Sequence, residues 1–89
     1  MQTLTRALID AAAFLELSSD DVIHPDDAVR ALESIGDTLR SASPAELSAI
    51  RAALSDLIAA ERAGSARADL LRFYRHFFES FGLSYEAVA

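Results

Sequence analysis

Ala63-Gly64-Ser65-Ala66 is the stretch on which the fold depends. It contains no proline and both flanks read as helix, so a single long helix is compatible with its composition. Winding the chain at about 100° per residue from Pro44 to Phe81 decides against that helix. Leu47, Ile50 and Leu54 would line one face of the rod, while Leu70, Tyr74, Phe77 and Phe81 would line nearly the opposite one. A lone chain cannot bury two opposed faces of one helix. The sequence therefore predicts a turn at Gly64-Ser65, with Gly64 as a C′ residue and Ser65 as the next N-cap. An unbroken helix through Gly64 is the alternative in a dimer, where a second copy would cover the spare face.

Beyond the turn lies Leu70-Leu71-Arg72-Phe73-Tyr74-Arg75-His76-Phe77-Phe78-Glu79-Ser80-Phe81, which holds five of the seven aromatic residues. Leu70, Tyr74, Phe77 and Phe81 fall on one line, Phe73 and Phe78 on its flanks, and Arg72, Arg75, His76 and Glu79 opposite. Gly82 suits a C′ position, with Leu83 folding back on Phe78. This apolar face is wide enough that Phe73 and Phe78, with Leu71, are expected at an edge a small protein leaves uncovered.

Three helices precede the turn. Ser43-Pro44-Ala45-Glu46 combines an N-cap hydroxyl, proline at the first helical position and a carboxylate three residues on, which is a capping box. The helix it opens carries Leu47, Ile50, Leu54, Leu57 and Ile58 on one face. Upstream, Pro25 fits the first turn of a second helix, with Asp26 and Asp27 beside the positive end of its dipole and a stripe of Ala28, Leu32, Ile35 and Leu39. Gly36 interrupts that helix near Val29, off the main stripe, where a small residue beside a branched one admits another helix closely. Over residues 3–17 the predicted buried face is Leu4, Leu8, Ala11, Ala12 and Leu15, extended by Phe14 and Ala7, while Ile9 falls among polar neighbours as a weak interface candidate. Connections of these lengths predict an all-α fold in one domain over residues 1–89, a small antiparallel, up-and-down four-helix bundle.

Composition narrows function mainly by exclusion. Cysteine and lysine are absent, which removes disulfides and thiolate or lysine chemistry, and suggests a reducing, cytoplasmic setting. Asp10 and Glu16 break the opening apolar run, so it reads as a mature helix, and no window approaches a membrane span. All eight basic residues are arginine, against fourteen acids. Residues 1–37 hold eight acids against Arg6 and Arg30, and residues 38–89 hold six of each sign, so the net charge of −6 lies in the first segment. Such a surface repels nucleic acid and anionic lipid and attracts a basic protein, besides keeping an apolar-rich chain in solution.

Candidate chemistry is sparse. Asp20, Asp21, His24, Asp26 and Asp27 are metal-ligand types, but they lack the alternation, turn glycine and closing glutamate of a calcium loop. Zinc would want two or more His or Cys within reach, and beside His24 only His76 is left to offer, far apart in sequence. A small enzyme or metal protein using His24 and His76 with nearby carboxylates would require the two to converge over a cavity. His76 instead reads as part of a solvated face where Arg75 and Glu79 pair. Ser55-Asp56-Leu57 reverses the Asp-Ser-Leu order of acyl carrier proteins and lies mid-helix, so that comparison fails.

What remains are shape, charge and apolar surface. The expectation is a non-catalytic protein without cofactor or metal that binds another protein through Asp20, Asp21, Asp26 and Asp27, through the Phe73 and Phe78 edge, or through both. A neutraliser of a basic toxin, such as an immunity protein or antitoxin, would account for the charge asymmetry. A homo-oligomeric scaffold would account for the apolar surplus instead.

Overall fold

The computed structural model describes residues 2–83 and contains only helices among them: α1 (Gln2–Leu17), α2 (Pro25–Leu39), α3 (Pro44–Ala63), α4 (Ala68–Arg75) and the short α5 (Phe77–Ser80). A continuous helix over residues 44–81 would extend about 57 Å, whereas the longest dimension is 34 Å. The chain does double back at Gly64. There the Gly64 N–H donates to Ala60 O at 3.1 Å and Glu61 O at 3.2 Å, ending α3.

The chemistry of that turn differs from expectation. Gly64 is the C-cap and keeps a negative φ of −106°, while Ala66 takes the left-handed conformation at φ 51°. Ser65 does not cap α4. Its N-cap is Arg67, which has no side-chain cap of its own; the Arg67 N–H donates instead to Glu61 Oε2 of α3 at 3.0 Å. The tight turn thus uses a carboxylate from the preceding helix, and α4 starts later than a Ser65 cap would place it.

The other signals act as read. Ser43 and Glu46 form both halves of the capping box: the Glu46 N–H donates to Ser43 Oγ at 3.1 Å and the Ser43 N–H donates to Glu46 Oε1 at 2.8 Å. Pro25 and Pro44 occupy the first turns of α2 and α3. Gly82 takes φ 67°, and the chain closes a Schellman pattern there: the Leu83 N–H returns to Phe78 O and the Gly82 N–H to Glu79 O.

α1 packs against α2, α3 and α4, and α3 also packs against α4. This central position explains the largest correction. The buried residues of α1 are Thr5, Ile9 and Ala12, with Ile9 fully enclosed, whereas Leu4, Ala7, Ala11 and Phe14 face outward. The helix is rolled by roughly a quarter turn from the expected face. With helices on several sides, the branched Ile9 fills the interior while Thr5 and Ala12 let neighbours come close. Ile9 is therefore core and not an interface residue.

α3 contributes Ile50, Ala53, Leu54, Leu57 and Ile58, close to the predicted face, with Leu47 half-buried beside them. The aromatic segment supplies Phe73, Tyr74, Phe77, Phe78 and Phe81, all buried. It is not one helix: His76 leaves helical geometry at ψ 19° and separates α4 from α5. On an uninterrupted helix Phe73 and Phe78 would diverge by about 140°; the break lets both turn into the same core. Phe77 meets Phe73 edge-on with centroids 5.7 Å apart and Phe78 edge-on at 5.8 Å, and Phe81 lies 4.9 Å away. Such tilted and perpendicular arrangements suit the ring quadrupoles.

Candidate functional site

The expected aromatic edge is absent from the surface. Phe73 and Phe78 are 5% and 0% exposed, because the break at His76 folds both flanks inward. Leu71 is half-buried against the same core.

The acidic loop residues are where a partner could reach them. Asp20 and Asp21 are exposed in the turn between α1 and α2, where the Val22 and Ile23 N–H groups both donate to Ser19 O. Asp26 and Asp27 are exposed in the first turn of α2. The N-cap of α2 is His24, whose Nδ1 accepts the Asp26 N–H at 3.1 Å. Sequence reading treats His24 only as a ligand type, although its position immediately before Pro25 is the available signal for a cap. Asp27 is 3.7 Å from Arg30 in an exposed pair of small energetic weight. No group of three or more His, Cys, Asp or Glu side chains among the described residues is placed to hold a metal ion.

The histidines serve different elements. His24 caps α2, while His76 sits at the α4–α5 break with Nδ1 3.5 Å from Glu79 Oε2. An Arg75–Glu79 pair is not among the ion pairs of the described residues; Glu79 meets His76 instead. His76 lines a groove of about 280 Å³ with Glu16, Asp69, Arg72 and Ser80. Asp69 is already held there by Arg67 through Nε at 3.2 Å and Nη2 at 2.8 Å. That bond is the main reason the Asp69 carboxyl titrates below its usual value. Glu46 is lowered by its hydrogen bonds with Ser43, and Tyr74 is raised chiefly by burial. These displacements belong to caps, the turn and the core.

A larger groove, about 550 Å³, opens between the end of α1, one face of α2 and the end of α5. Val29, Leu32, Gly36 and Phe81 form its apolar floor, and Glu16, Glu33 and Asp37 stand along it. Arg40 satisfies Asp37 at 2.6 Å, whereas Glu16 and Glu33 have no ion-pair partner among the described residues. The Val29 and Gly36 pair marked in the sequence is thus divided: Phe81 covers Gly36 from within the chain, and Val29 is left at the groove.

Four large apolar side chains are exposed among the described residues: Leu4 at 77%, Phe14 at 55%, Val22 at 61% and Val29 at 53%. All lie within residues 1–37, the segment that carries the net negative charge. No protein family, curated protein or solved structure matches the chain.

Proposed function

We propose that this chain acts without catalysis by binding a basic protein through the outer surface of α1, α2 and the turn between them. The carrying observation is the coincidence of acidic charge with Leu4, Phe14, Val22 and Val29 on the same 37 residues. Charge steers an oppositely charged partner, and desolvated apolar side chains hold it. Neutralisation of a basic toxin, in the manner of an immunity protein or antitoxin, is the form of this reading that the asymmetry supports. The antiparallel arrangement expected of the principal helices would present α1 and α2 as a continuous face to such a partner.

A labelled arginine-rich peptide, followed by fluorescence anisotropy as salt rises from about 0.01 M to about 1 M, tests the electrostatic part. Binding at low salt that weakens steeply with added salt, and that falls when Asp20, Asp21, Asp26 and Asp27 are replaced together by Asn, is the expected result. Absence of binding at low salt ends this reading.

A second reading rests on a separate observation. Leu4, Ala7, Ala11 and Phe14 form one exposed line on α1, with small residues between two large ones. That face suits a homodimer, the scaffold alternative. Light scattering separates the two readings: a dimer that persists in high salt and dissociates on Phe14→Asp favours the scaffold.

A further inference from the structure

We infer that the groove along α2 receives a basic amphipathic helix, which seats an apolar side chain on Val29 and Leu32 while its arginines or lysines reach Glu16 and Glu33. This specifies the partner chemistry of the protein-binding role proposed above and rests on that role. The residues that α2 and its C-cap give to the groove run from Val29 to Arg40. Those helical steps span about 16 Å, or roughly three turns, which is the length over which a helix of similar size can pack. The groove is open to solvent, so a small molecule would remain largely uncovered, whereas a helix laid along it would close the apolar floor.

Charge selects the kind of helix. Asp37 is neutralised by Arg40 at one end, while Glu16 from α1 and Glu33 from α2 remain without ion-pair partners among the described residues. An acidic or uncharged helix would leave these carboxylates partly desolvated and uncompensated, whereas a basic one pairs them at the rim. Val29 is the most exposed apolar side chain of the groove, at 53%. Gly36 and Phe81 are already packed together and complete the floor.

The test uses the full chain and a labelled, lactam-stapled helical peptide with leucines on one face and arginines beside them. Two control peptides replace its leucines with serine or its arginines with glutamate. At about 0.15 M salt, the Leu/Arg peptide should bind at least about tenfold tighter than the Ser/Arg peptide, because burying one leucine is sufficient for that ratio. Val29→Asp adds negative charge and should nevertheless weaken the Leu/Arg peptide by about tenfold; circular dichroism establishes that the variant remains helical. Glu33→Gln should weaken it too, while Asp56→Asn, the same charge loss on an exposed position of α3, should leave it unchanged.

Equal binding of the Ser/Arg and Leu/Arg peptides, or unchanged or tighter binding to Val29→Asp, would mean that charge alone operates. The groove assignment would then fall and the broader reading would stand. If no basic peptide binds even at low salt, both fall. Self-association abolished by Val29→Asp would show a second copy in the groove and overturn the basic-helix assignment.

Discussion

Gly36 of α2 lies so close to Phe81 that a Cβ built on it would stand 3.4 Å from the ring carbon Cδ1 and 3.6 Å from the Phe81 carbonyl oxygen. These are ordinary contact distances, so alanine fits against the ring with little displacement, while a longer side chain would need the space Phe81 occupies. A glycine inside a helix costs about 1 kcal/mol relative to alanine. Gly36→Ala should therefore stabilise the protein by about 0.5–1 kcal/mol, and Gly36→Leu should destabilise it by about 1–3 kcal/mol. Urea unfolding of the two variants checks the pair. A Gly36→Leu protein as stable as the parent would mean that Phe81 does not rest on α2.

The two faces of α1 predict opposite sensitivities to substitution. Ile9 is fully enclosed, and Ile9→Ala should lose about 2–5 kcal/mol through lost transfer energy and the cavity left behind. Phe14 is a larger side chain but more than half exposed, and Phe14→Ser should change stability by no more than about 0.5 kcal/mol. Thermal unfolding monitored by circular dichroism compares them. Equal losses would show that Phe14 is covered in solution, as in the homodimer reading.

The roll of α1 is illegible in the sequence for a physical reason. Its apolar residues, Leu4, Ala7, Leu8, Ile9, Ala11, Ala12, Ala13, Phe14, Leu15 and Leu17, extend around most of the helix, so periodicity has no sharp maximum to choose a face. By contrast, Ser43, Pro44, Glu46 and Gly82 have local geometric jobs that need no knowledge of neighbours, and each is readable. The reversal near Gly64 is likewise forced by the opposed faces of α3 and the aromatic segment. Its hydrogen bonds are not, because Glu61 reaches the Arg67 N–H only once the chain has turned. At the candidate surface, the acids of residues 20–27 are legible as charge. The groove is hidden because it needs Phe81 to cover Gly36 but not Val29, a tertiary outcome that no helical wheel contains.

Ala66 carries the one left-handed backbone conformation adopted by a non-glycine residue among those described. Its Cβ crowds the following carbonyl in that region, at a cost of about 1–2 kcal/mol. Glycine removes the clash but gives up about 0.5–1 kcal/mol in chain entropy. Ala66→Gly should therefore stabilise by about 0.5 kcal/mol on balance, and Ala66→Val should destabilise because a branched side chain worsens the clash. The mirror test is Gly82→Ala, which has open space around it and positive φ, so any loss of stability there is backbone strain. Urea midpoints for the three variants decide whether the reversal takes this path.

The capping box makes a prediction whose sign follows from proton linkage. Hydrogen bonds with Ser43 hold the Glu46 carboxyl below the ordinary glutamate value in the folded chain. A depressed folded pKa means the unfolded state binds the proton more readily. The contribution is therefore complete above the unfolded glutamate pKa and disappears as pH falls through the folded one. Glu46→Gln retains an oxygen acceptor for the Ser43 N–H but cannot ionise, so the parent should be more stable than the variant at neutral pH, with the difference closing as the solution is acidified past the carboxylate range. Ser43→Ala removes the reciprocal bond and should cost about 1 kcal/mol at neutral pH. In the Ser43→Ala background, the pH-dependent effect of Glu46→Gln should narrow. Melting temperatures across the acid range supply the readout; a gap that stays constant with pH would mean that Glu46 acts in this cap through its shape and not its charge.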